Sequence, residues 1–170
     1  MEEIVNKVAN SGLLTFNLED HYDHTEKVSL DFKELLFQGL ILKEKDFREY
    51  VKEQKWENFK DKNVSIFCST DAVIPTWAFM LVANKLQPFA KEVFFCTPEE
   101  LDNILFYRIL DSIDLSEYKD QRVVIKGCSN LPVPVSAYVE ITKRLTPIVK
   151  SIFYGEPCST VPIYKKRPVK

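Results

Sequence analysis

Glycine is scarce in this sequence, with four residues in 170. None sits in a Gly-x-Gly-x-x-Gly or Gly-x-x-x-x-Gly-Lys turn, the loops that let backbone N–H groups close on a phosphate chain, so no nucleotide cofactor is expected. A Gly-x-Ser-x-Gly elbow is missing too, which argues against an ordinary serine hydrolase. Histidine is limited to His21 and His24. No Cys-x-x-Cys pair occurs among the four cysteines. No apolar run approaches the roughly 18 residues of a membrane span, so no membrane partner is expected. The first residues, Met1-Glu2-Glu3, are acidic where a secretory signal is basic, and no apolar segment follows. The expectation is a cytoplasmic chain whose thiols stay reduced. Neither sign of charge dominates: 23 basic against 25 acidic side chains leaves a net charge of -2. No nucleic-acid partner is expected from that balance. The basic end, Lys165-Lys166-Arg167, reads as a solvated terminus.

What is present is ordinary globular material, 45% apolar and 28% charged, enough for a single domain over residues 1–170. Residues 1–62 read as a mixed N-terminal extension. Glu2 to Ala9 is predicted to be a short helix, and Val28 to Asp31 a short strand. Asp31 with Glu34, and Asp46 with Glu49, have the spacing of helix N-caps and their capping-box partners. Beyond residue 62 strands and helices alternate. Strands are predicted at Val64–Phe67, Val93–Phe95, Val123–Lys126 and Ile152–Tyr154. Helices are predicted at Trp77–Leu86, from Thr97-Pro98 onward, and at Val135–Leu145. Such alternation means βαβ units. The expected fold is three-layer α/β with a mainly parallel four-stranded sheet.

The chain also resembles itself. Shifted by 59 residues, 57–95 matches 116–154 at ten of 39 ungapped positions, among them Lys60/Lys119, Asp61/Asp120, Pro75/Pro134, Pro88/Pro147 and Lys91/Lys150. Ordinary composition gives roughly two or three such matches. Shared α/β patterning explains matching apolar residues but not two prolines and a Lys-Asp pair in one register. The reading is a duplicated βαβ unit, for which the natural strand order is 2-1-3-4.

Duplication places the cysteines. Cys68-Ser69-Thr70 follows the first of the four strands, and Cys128-Ser129-Asn130 follows its copy after an inserted Gly127. Cys158-Ser159-Thr160 follows the fourth strand. Ligands of open parallel sheets bind beyond the carboxyl ends of the strands, where the order reverses. In the order 2-1-3-4, Cys68 and Cys128 end neighbouring strands about 4.8 Å apart, and Cys158 can fold back to them after Gly155-Glu156-Pro157. Three thiolates favour Zn²⁺ or an iron–sulfur cluster over harder ions. Asp71, Glu156, His21 and His24 are the candidates for a further ligand. Cys96 ends an outer strand, has Gly155 as its repeat partner, and is left out of the set. Helix starts beyond the Cys-Ser loops favour thiolates, and with Ser69, Thr70, Ser129 and Asn130 they offer an anion site.

Three functions follow as expectations: a metal- or cluster-binding accessory protein; a thiol-dependent enzyme or phosphate-binding module; and a non-catalytic partner-binding protein whose cysteines only pack. The thiol enzyme lacks an obvious base near the cysteines in sequence. The cluster Glu19-Asp20-His21-Tyr22-Asp23-His24 has metal-ligating residue types in no standard spacing.

Four stretches carry a family resemblance: Gly39–Arg48 (GLILKEKDFR), Pro75-Thr76-Trp77-Ala78, Val123–Asn130 (VVIKGCSN) and Tyr154–Pro162 (YGEPCSTVP). With them the chain resembles the domain-of-unknown-function 2480 family over essentially its whole length. The resemblance implies no established activity. It implies a setting near iron–sulfur assembly proteins as partners.

Overall fold

A computed structural model describes residues 12–127 and 130–167. In chain order the elements are β1 (Leu13–Asn17), β2 (Lys27–Asp31), α1 (Glu44–Glu53), β3 (Asn63–Phe67), α2 (Thr76–Leu86), β4 (Glu92–Phe95), α3 (Pro98–Ser112), β5 (Arg122–Lys126), α4 (Val135–Leu145), β6 (Ser151–Glu156) and β7 (Ser159–Lys165). The fold is mixed α/β. The helix expected at Glu2 to Ala9 lies outside the described residues.

Two compact units form. The inserted unit is His24–Leu101, and the terminal unit combines the chain up to Asp23 with the chain from Asp102 onward. Each has its own sheet: β2-β3-β4 in the inserted unit and β1-β5-β6-β7 in the terminal unit. The first sheet is parallel throughout, and in the second only β7 is antiparallel.

The expected single sheet of order 2-1-3-4 is therefore corrected. β3 and β5 are not neighbours, because both flanks of each are taken. β3 lies between β2 and β4, and β5 lies between β1 and β6. The strands that flank β3 and β5 on the side away from β4 and β6 come from residues 1–62, which read as an extension. Among the described residues of that segment there are two strands, β1 and β2, and each pairs in parallel with the first strand of a βαβ unit over five residues. Leu13 to Asn17 pair with Arg122 to Lys126, and Lys27 to Asp31 pair with Asn63 to Phe67.

Several local features recur 59 residues apart. Asp61 and Asp120 both take the left-handed conformation, with φ of 57° and 56°, which a short polar side chain tolerates better than most. Asp61 N donates to Phe89 O at 2.9 Å, and Asp120 N donates to Ile148 O at 2.8 Å. α2 and α4 each start directly after a proline in extended conformation, and Pro88 and Pro147 follow their ends, where a missing N–H costs nothing. Val64, Val82 and Leu86 are fully buried in one unit, and Val123, Ile141 and Leu145 in the other. Each such side chain contributes about 1.5–3 kcal/mol relative to exposure. Among the described residues no helix is long and apolar enough to cross a membrane.

Candidate functional site

The carboxyl edge of the terminal sheet gathers the most chemistry. Asn17 pairs with Lys126, and Ile125 pairs with Tyr154, so β1, β5 and β6 end side by side. After β1 the chain makes a short 3-10 turn, Leu18–His21. Asn17 caps it by accepting from Glu19 N and donates its own amide to Asp20 Oδ1 at 2.7 Å. The Glu19 carboxylate then crosses to the loop after β5. Its Oε1 accepts Asn130 N at 2.7 Å and Leu131 N at 3.0 Å. Two backbone donors on one carboxylate oxygen are charge-assisted bonds, roughly twice as strong as neutral ones.

That loop begins at Gly127, and only glycine fits there. Its φ is +138°, and a Cβ would lie 2.8 Å from Leu18 Cβ and 3.1 Å from Leu18 N. The Tyr138 hydroxyl, on α4, donates to the Gly127 carbonyl. Cys128 and Ser129 come next in the chain and lie outside the described residues.

β6 ends at Glu156, whose carboxylate is 3.6 Å from Lys126 Nζ at the end of β5. Pro157 and Cys158 form a two-residue turn into β7, and Cys158 is exposed. Gly155 and Glu156, expected from sequence to let Cys158 fold back, are instead strand residues paired with Thr160 and Ser159.

His21 stacks on Phe16 with ring centroids 5.0 Å apart. Burial pushes its pKa below the ordinary value of 6.5, against an opposing pull from the Asp20 carboxylate. His24 is exposed and falls in the inserted unit.

The inserted unit has a similar edge. Cys68 follows β3, is half-buried, and has its sulfur 3.3 Å from Thr70 Oγ1. Asp31, ending β2, accepts Lys33 N at 2.9 Å and Ser69 N at 3.0 Å on one oxygen. Burial works to raise the Asp31 pKa, but the hydrogen bonds from Ser69 and Lys33 outweigh it and hold it below the usual value. Asp71 is exposed. Cys96, which follows β4, is buried, and burial together with the Glu100 carboxylate pushes its thiol pKa up.

Several sequence expectations change here. Cys68 and Cys128 do not follow neighbouring strands, because β3 and β5 belong to different sheets. Two pairs of cysteines follow adjacent strands: Cys128 and Cys158 after β5 and β6, and Cys68 and Cys96 after β3 and β4. Among the described residues no group of three His, Cys, Asp or Glu side chains is placed to hold a metal ion. The backbone amides of Ser69 and Asn130, candidates for an anion, are held by Asp31 and Glu19. Sequence reasoning missed Glu19 as an anchor and Tyr138 altogether. The one signal for Tyr138 was its hydroxyl, absent from its repeat partner Phe79.

A cleft of about 650 Å³ also opens in the terminal unit, lined by Ile125 of β5, Val133, Tyr138 and Val139 near or on α4, Tyr154 of β6 and Ile163 of β7. Ile125 and Val133 lie on either side of the 127–131 loop in sequence.

A family model described as a protein of unknown function, DUF2480, matches residues 2–166. The chain belongs to this family. No curated protein and no solved structure matches it. Two of the four stretches that carried the resemblance fall on this same edge in the DUF2480 chain: VVIKGCSN runs from β5 into the clamped loop, and YGEPCSTVP spans the β6–β7 turn. The other two, Gly39–Arg48 and Pro75–Ala78, lie in the inserted unit.

Proposed function

We propose that the carboxyl edge of the terminal unit is a soft-metal site centred on Cys128, with Cys158 and His21 as flanking donors. One observation carries this reading: β1, β5 and β6 are successive parallel strands. The segments bearing His21, Cys128 and Cys158 leave those three strands at one edge. Thiolates with an imidazole suit Zn²⁺ or an iron–sulfur cluster. The burial that lowers the His21 pKa favours the neutral ring, which is the ligating form. Glu156 is the oxygen donor at the same edge. Cys68 ends a strand of the other sheet and is left out of this ligand set.

The exposed Cys158 turn suits an accessory protein that carries metal or cluster to a partner better than an enzyme that encloses a substrate. Four thiols are compatible with a reducing cytoplasm. A second reading, thiol chemistry at Cys128, is favoured by the cleft whose lining residues Ile125 and Val133 flank its loop. Phosphate binding at Ser69 or Asn130 requires displacement of Asp31 or Glu19. We also infer that the two units are copies of one element, a strand followed by a βαβ unit. The support is the recurrence of backbone features at a spacing of 59 residues.

Cobalt titration of the purified protein tests the metal reading. Co²⁺ bound by thiolates is expected to give a sulfur-to-cobalt charge-transfer band that saturates at one equivalent and disappears in Cys128→Ser. A wild-type protein that shows no such band overturns it.

A further inference from the structure

The cleft of the terminal unit differs chemically from the matching surface of the inserted unit. Four of its lining positions carry groups their counterparts 59 residues earlier lack. Tyr138 stands against Phe79, Tyr154 against Phe95, Thr142 against Ala83, and Lys143 against Asn84. Three hydroxyls and one ammonium have been placed on an otherwise apolar wall. The underlying geometry is the same in both units. Phe79 and Phe95 meet edge-on at 4.9 Å and 72°, while Tyr138 and Tyr154 do so at 5.8 Å and 74°. β7 adds Ile163 as a further wall. Among the described residues the sheet of the inserted unit has no strand in that position, since β4 is its last strand.

The volume, about 650 Å³, lies within the roughly 300–1,000 Å³ usual for small-molecule sites. Val139 is 62% exposed and Ile163 52%, so the apolar walls open to solvent. Two rings set edge-on leave a corner that takes a flat or branched apolar body. Lys143 is one of the lining residues, its side chain 68% exposed and its ammonium paired with Glu140. An incoming acidic group can take the place of that carboxylate.

We propose that this cleft binds a small organic anion with an apolar body, the body packed against Val139, Tyr154 and Ile163 and the acidic group at Lys143. The site uses none of the cysteines and stands apart from the metal reading.

The probe is 8-anilinonaphthalene-1-sulfonate, an aromatic body with one sulfonate, titrated by fluorescence into the folded full chain. Saturable binding at one equivalent is expected. Val139→Glu, at an exposed position that leaves the near-UV circular dichroism unchanged, abolishes it. Lys143→Gln weakens it about fivefold, the worth of one exposed charge pair. Met80→Glu, at the matching position of the inserted unit, leaves it unchanged. Cys128→Ser also leaves it unchanged, so failure of the metal reading and failure of this one are told apart. No saturable binding by wild type, wild-type binding in Val139→Glu, or loss in Met80→Glu overturns the proposal. Undiminished affinity in Lys143→Gln overturns the placement of the acidic group.

Discussion

Glu19 holds Asn130 across 111 residues of sequence, its Oε1 accepting the Asn130 backbone N–H at 2.7 Å. The same oxygen takes Leu131 N, so one side chain after β1 sets the path of the loop after β5. Glu19→Ala leaves two amides without that acceptor. Unfolding stability is expected to fall by about 1–3 kcal/mol, with faster hydrogen exchange at residues 130 and 131. A variant with unchanged stability and unchanged exchange there contradicts the clamp.

Gly127 is the second anchor. Gly127→Ala combines a φ of +138° with a Cβ 2.8 Å from Leu18 Cβ. Backbone strain of this kind costs on the order of 1–3 kcal/mol before the clash is added. Gly39, at φ +70° with open space where a Cβ would sit, is the comparison. Gly39→Ala is expected to cost about 1 kcal/mol. Thermal denaturation of the two variants checks the order, and equal losses contradict the close approach of Gly127 to Leu18.

Asp31 gives a pH signature. Its folded pKa lies below the ordinary 3.8 because Ser69 and Lys33 donate to it, against the opposing effect of burial. A depressed carboxylate pKa contributes stability that is present above the unfolded value and lost as pH falls through the folded value. Wild type is expected to lose stability as pH drops from about 4 downward, and Asp31→Asn to flatten that limb. Denaturant midpoints from neutral pH down to about pH 2 measure it. An Asp31→Asn curve parallel to wild type contradicts the assignment.

The described cysteines should differ in reactivity. Cys158 is exposed in a hairpin turn, while Cys96 is buried with its thiol pKa raised by burial and by Glu100. Iodoacetamide labelling near neutral pH, read by mass spectrometry, is expected to modify Cys158 readily and Cys96 only through local opening. Cys96 labelling as fast as Cys158 contradicts the placement of β4.

The sequence carried the βαβ cores because their signals are local. Val64–Phe67 and Val123–Lys126 are β-branched and aromatic runs, and Pro75 and Pro134 mark the starts of helices. β1 was not readable as a strand beside β5, because its pairing of Leu13 with Arg122 is long-range and its five residues carry little pattern. That one omission turned two sheets into one and made Cys68 a neighbour of Cys128. β7 was missed for another reason. Pro162 inside an alternating run argues against a strand, but β7 lies at the edge of the sheet, where proline is tolerated, and Pro162 pairs with Phe153 next to a register shift. With β7 unread, the Ile163 wall of the cleft was unreadable too. Of the candidate site, the strands that precede Cys128 and Cys158 were legible. The Glu19 and Tyr138 anchors, which depend on tertiary contact, were not.

Metal and acid-labile sulfide content is the most direct measure of the central claim, made on protein purified without oxygen as wild type, Cys128→Ser, Cys158→Ser and Cys68→Ser. The account predicts zinc or iron at about one equivalent or more in wild type and in Cys68→Ser, with loss in Cys128→Ser and Cys158→Ser; labile sulfide would mark a cluster. Wild type without metal, or metal that survives Cys128→Ser, contradicts it.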